Sequence, residues 1–186
     1  MAILLVFAFG VSAAGFDNQF RILLHGQKTL SDHWGVAGWG IVLDATNPNP
    51  RGLLLAGLLY KDESRWVEFM GGSFFDGSGE EPLLDFRFLE KSLKPFEGWL
   101  EIAYSPGSDK LLIGPSAVVA TPISLFGAPV KVGGEADIFV QDRVISGGFG
   151  PRLVIPLPVQ GWFVATSYQF KDEGEDILRT YLVLNF

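Results

Sequence analysis

The chain has no cysteine. That excludes disulfides and thiolate metal sites, and it suits an oxidising compartment without establishing one. Only two histidines are present, His25 and His33, so imidazole chemistry is confined to those positions. Basic residues are outnumbered: 14 Lys and Arg stand against 21 Asp and Glu, for a net charge of −7. Such a chain lacks the basic footprint that nucleic acid requires, and nucleic acid is not an expected partner. Beyond residue 15 charges interrupt almost every apolar stretch well short of the roughly 20 residues of a membrane-spanning helix. There is no phosphate loop, zinc-ligand spacing or dinucleotide fingerprint. There is also no fixed-period repeat, low-complexity segment or internal linker, so a single domain is expected.

What is present favours strands. The 186 residues are 48% hydrophobic, and they include 16 Phe, 23 Gly and 11 Pro. Phe favours strands, while Gly and Pro punctuate them with turns. Residues 2–14 read as the apolar core of a secretory signal, with small residues at Val11-Ser12-Ala13 and Ser12-Ala13-Ala14 for cleavage. No Lys or Arg precedes them, so the signal's n-region is truncated. The competing reading is a first strand. The expected division is therefore a signal peptide at 1–14 and a β-barrel domain at 15–186.

From residue 15 onward, runs with period-two alternation are separated by turn chemistry. The runs are 19–27, 33–43, 52–60, 66–75, 83–89, 98–104, 111–123, 130–140, 144–157, 162–170 and 177–186. Pro115 and Pro122 make 111–123 bent, bulged or an edge. Phe88 to Leu93 could form one helical turn, stopped by Pro95. Eleven runs conflict with the even strand number usual in bacterial barrels. Either a strand is split or merged within 111–157, or residues 2–14 supply a twelfth.

The last run is the most informative. Leu178, Leu182, Leu184 and Phe186 share one face, while Arg179, Tyr181, Val183 and Asn185 share the other. This ending resembles the closing strand of bacterial outer-membrane β-barrels, whose assembly machinery recognises a C-terminal Phe preceded by alternate apolar residues. The resemblance implies an assembly signal in Tyr181, Leu182, Leu184 and Phe186. It also implies the barrel assembly machinery and outer-membrane lipid or lipopolysaccharide as partners, in a Gram-negative envelope. It is a resemblance to a class and assigns no residue outside that strand. The expected fold is all-β: a single antiparallel up-and-down transmembrane barrel of about 10–12 strands. Trp34, Trp66, Trp99, Trp162, Tyr60, Tyr104 and Phe75 lie near strand ends, where an interfacial girdle would place them.

In such a barrel the mixed face of each strand lines the interior. Alternation assigns to it Arg21, Asp44, Glu68, Asp85, Arg87, Glu101, Lys131, Glu135, Asp137, Arg152, Lys171 and Arg179. Six acids and six bases at low dielectric should form paired networks. The lumen is then either plugged for structural reasons or a small pore tuned by charge. Further acid falls in expected loops at Asp62-Glu63, Glu80-Glu81 and Asp172 to Asp176, most simply a solvated surface. Ser31, Asp32 and His33 are consecutive, but neighbours on a strand point to opposite faces, so they form no triad by themselves. No catalytic residue, metal site or cofactor is assigned. The expected function is a narrow porin-like channel or a structural envelope protein. Two alternatives stand beside it: a soluble secreted or periplasmic β-barrel that binds an apolar ligand, and an outer-membrane lipid-modifying enzyme.

Overall fold

A computed structural model describes residues 16–172 and 174–186. The assignment of residues 2–14 as signal or strand lies outside them. Eleven strands follow one another in chain order: β1 (Phe16–Thr29), β2 (Trp34–Leu43), β3 (Arg51–Lys61), β4 (Arg65–Asp76), β5 (Gly79–Glu90), β6 (Phe96–Ser105), β7 (Lys110–Leu125), β8 (Ala128–Gln141), β9 (Val144–Pro156), β10 (Phe163–Lys171) and β11 (Asp176–Asn185). Each pairs antiparallel with the next, and β1 pairs with β11 to close the barrel. Connections are two to seven residues long. Two of them are hairpin turns with both residues at positive φ, Phe126-Gly127 and Asp142-Arg143, the twist-matched geometry for two-residue turns.

The described barrel therefore has an odd strand number, not the even one expected. A meander with an odd count closes through one parallel pair. Here that pair is β1 with β11, in register from Phe16↔Asp176 to His25↔Asn185. Consequently β1 begins at one mouth of the barrel and β11 ends at the other. The Pro-bearing region was not miscounted. It forms one continuous strand, β7, with a register shift between Ala120 and Ser124 beside Pro122. The helical turn expected at 88–93 does not form: Phe88 to Glu90 complete β5, and the chain bends on towards Pro95. Glu80 and Glu81 belong to β5 instead of a loop, because Gly77-Ser78 alone makes the turn.

Eleven strands spaced about 4.8 Å and tilted about 40° enclose a backbone cylinder of about 11 Å radius. The shortest strand, β10, has nine residues; at about 3.4 Å each and that tilt it rises about 23 Å along the axis, close to the ~25 Å apolar band of membrane barrels. The wall bends where glycine permits it. An ideal Cβ on inward-facing Gly133 would sit 1.9 Å from the Ala117 carbonyl oxygen, and one on Gly150 would sit 1.8 Å from that of Tyr168.

The two faces of the wall differ in chemistry. Among the described residues, charged side chains on the outward register occur only within two positions of a strand end: Lys28, Arg65, Glu80, Glu90 and Asp176. Between these ends the outward register carries apolar side chains with some Gly, Ser and Thr; Leu54, Leu58, Phe69, Leu84 and Phe149 are exposed, Leu58 and Phe69 at 58% and 60%. The largest fully buried side chains include Arg87, Arg179, His25, Gln169, Glu68 and Asp85. Apolar residues contribute to the interior too, with Trp39, Ile41, Leu55, Met70 and Leu83 packed along β2–β5.

Candidate functional site: the barrel interior

The inward register brings together Arg21, Glu68, Asp85, Arg87, Glu101, Lys131, Glu135, Asp137, Arg152, Lys171 and Arg179. Asp44 departs from the expected set. It follows β2 as the first residue of the loop, at φ 55°, where its carboxylate accepts bonds from Thr46 and Asn47. Glu97 takes its place, accepting a 2.6 Å bond from Lys131.

Two networks cross the lumen. The first centres on Glu68, which is 0% exposed. Its Oε1 lies 2.9 Å from His25 Nε2, and its Oε2 accepts a 2.7 Å bond from Trp39 Nε1. The donor roles follow from the neighbours. Asn185 donates its amide N–H to the Gly161 carbonyl, so its Oδ1 faces His25 Nδ1 at 3.1 Å and accepts from it. The His25 ring stacks on Trp39 at 4.3 Å and lies 5.0 Å from Trp66, which lies 5.4 Å from Trp99. Beside this stack, Arg87 donates from Nε to Asp85 at 2.8 Å and from Nη2 to Glu101 at 3.1 Å. Its guanidinium lies 4.3 Å from the Trp39 ring.

The second network joins β8–β11 to β1. Glu135 Oε1 accepts from Ser167, Gln169 and Tyr181, and Oε2 accepts from Arg152. Arg179 donates to Asp137, to the Tyr181 hydroxyl and, from Nε, to Gln19 at 3.3 Å. Small inward residues at Gly114, Ser116, Gly148 and Gly150 leave more room on this side. Water reaches Glu101 and Lys131, each 26% exposed at the side chain, far more than Arg87 at 2%.

Several of these placements differ from the expected ones. Trp66 and Trp99 point into the lumen and do not join a girdle; their rings pack on each other, and that of Trp66 also on His25 and Trp39. Trp34 with Tyr60, and Trp162 with Phe186, do form aromatic contacts at one mouth. His25, given no role by its sequence context, sits at the centre of the first network. Its inward alternation with Arg21 and Leu23 was the available signal. Of the assembly-signal residues, Tyr181 turns inward while Leu182, Leu184 and Phe186 face outward.

Among the described residues no interior group has the layout of a nucleophile and base. Among them no serine, threonine or tyrosine hydroxyl bonds to His25, whose partners are Asn185 and Glu68. His33 is exposed in the β1–β2 turn against the Lys61 carbonyl, while the Ser31 hydroxyl accepts from the Trp34 amide. Among the described residues no group of three or more His, Cys, Asp or Glu side chains could hold a metal ion. No family model, curated protein or solved structure matches this chain.

Proposed function

We propose that the chain is a small outer-membrane β-barrel: an envelope protein whose lumen is a narrow polar path instead of an open pore. One observation carries this reading. The outward register is apolar, exposed and uncharged away from the strand ends, while ionised groups are buried inside. In water this arrangement would expose far more apolar wall than a soluble monomer tolerates. In lipid the outer band faces hydrocarbon and the interior supplies polar partners. The narrowness follows from side chains that reach across the lumen: His25 to Glu68, Arg87 to Trp39 and Arg179 to Asp137. A charged interior of this kind is also a poor host for an apolar ligand, which disfavours a soluble carrier.

The test has two arms. The mature protein should partition with membranes, require detergent for extraction and migrate on gels in a heat-modifiable way. Recovery in the soluble fraction without detergent would refute the membrane assignment. In planar bilayers the barrel should give small, ion-scale conductance steps. Large steps that pass bulky solutes would refute the narrow lumen.

A further inference from the structure

We infer that the barrel interior holds a small-oxyanion site built around Arg21, Arg152, Arg179 and Tyr181. Three guanidinium groups surround one ring: Arg152, Arg21 and Arg179 lie 5.1, 5.7 and 6.0 Å from the Tyr181 centroid. Among the described residues only two carboxylates, Glu135 and Asp137, form ion pairs with them. Arg152 pairs with Glu135, and Arg179 pairs with Asp137 and Glu135. Arg21 has no carboxylate within 4.0 Å among the described residues. Asp137 and Glu101 act on it only at longer range.

Its hydrogen bonds are equally incomplete. Arg21 Nη2 donates to Gln19 Oε1 at 3.1 Å, and the same oxygen also accepts from Arg179 Nε. One neutral amide oxygen thus serves two cations. Arg21 Nε is buried with no acceptor among the described residues. An uncompensated cation in a low-dielectric lumen is costly, and so is a buried N–H without a partner. A single oxyanion relieves both. A guanidinium presents forked, parallel N–H donors that match two oxygens of a sulfate- or phosphate-like group. The chain as a whole is acidic, so the site is a local reversal of sign within the lumen.

The site requires only the closed barrel, so its test is independent of membrane location. Sodium sulfate is titrated into the folded, detergent-solubilised protein by calorimetry, with ionic strength held constant by sodium chloride. Saturable binding of one sulfate per barrel is expected. Arg21→Gln should weaken it at least tenfold, while Lys28→Gln, on the outward face at a strand end, should leave it unchanged. Without sulfate, Arg21→Gln should unfold at the same temperature as the parent or higher, because it removes an unpaired charge. Absence of saturable binding to the folded parent, or parental affinity in Arg21→Gln, overturns the site. Should Arg21→Gln fail to fold, Arg21→Lys decides. It keeps the charge without the fork and should bind at least threefold more weakly, and unchanged affinity overturns the guanidinium site.

Discussion

Replacing Glu68 by Gln and by Leu should separate hydrogen bonding from charge at the centre of the lumen. Glu68 is 0% exposed, and its partners His25 and Trp39 are 1% and 4% exposed. Glutamine can satisfy every group present. Its oxygen can accept from Trp39 Nε1, and its amide can donate to His25 Nε2, leaving Nδ1 to donate to Asn185. Glu68→Gln should therefore cost at most about 1 kcal/mol. Leucine has a similar volume but no acceptor. It strands the Trp39 indole N–H, and each such loss costs about 1–3 kcal/mol. It also removes the carboxylate facing His25, but that ring keeps its bond to Asn185, so this share lies at the low end. Glu68→Leu should cost about 2–4 kcal/mol more than Glu68→Gln, roughly a 30- to 900-fold change in the folding equilibrium. Reversible urea unfolding in lipid vesicles, followed by tryptophan fluorescence, measures the difference. A Leu variant as stable as the Gln variant would refute the polar bridge across the lumen.

Three further outcomes are expected. Leu58→Arg places a cation in the middle of the outward band, opposite Phe69; in vesicles it should lose about 2–4 kcal/mol by urea titration, whereas a loss within about 0.5 kcal/mol would mean that the outer wall faces water. Deleting Phe186, which packs edge-on against Trp162 at 5.6 Å, should lower the folded fraction recovered from cells, and unchanged assembly would remove the terminal strand as a recognition element. In the β3–β4 turn, Asp62 accepts from the Ser64 and Arg65 amides at 2.8 Å, which holds its carboxyl below the ordinary aspartate value. Its stabilisation is present above the unfolded aspartate pKa and is lost as pH falls through the lower folded one, so a carboxyl NMR titration should show Asp62 ionising below the range of exposed aspartates.

The strand layout was legible because alternation and turn chemistry agree along most of the chain. All eleven runs read from the sequence became strands, most with ends shifted by one to three residues. Side was harder to read than existence. In β2 both faces are uncharged, and nothing in Val36, Gly38, Gly40 and Val42 against Ala37, Trp39 and Ile41 shows which of them enters the lumen. The buried Trp39 does so because Glu68, three strands along the chain from His25, needs its N–H. Proximity to a strand end misplaced Trp66 and Trp99 for a related reason: a girdle and an interior aromatic stack use the same residue type. The cross-lumen partners depend on where β1 meets β11, and no local pattern encodes that register. The Asp142-Arg143 turn was also hidden, because neither residue advertises the positive φ that it adopts.

The parallel seam has a consequence for the order in which the molecule can be built. Every other strand pair joins segments adjacent along the chain, but His25 and Asn185 are 160 residues apart. The entropy of closing so long a loop cannot be recovered until most of the wall already holds the two edges near each other. Until then β1 keeps an unpaired edge, a template for misplaced strands. The last strand supplies its remedy. Phe186 donates its backbone N–H to the His25 carbonyl at 2.8 Å, and its own carbonyl accepts from Gln27 at 3.4 Å. The first described strand thus waits for the last, and its edge stays open until β11 is in place.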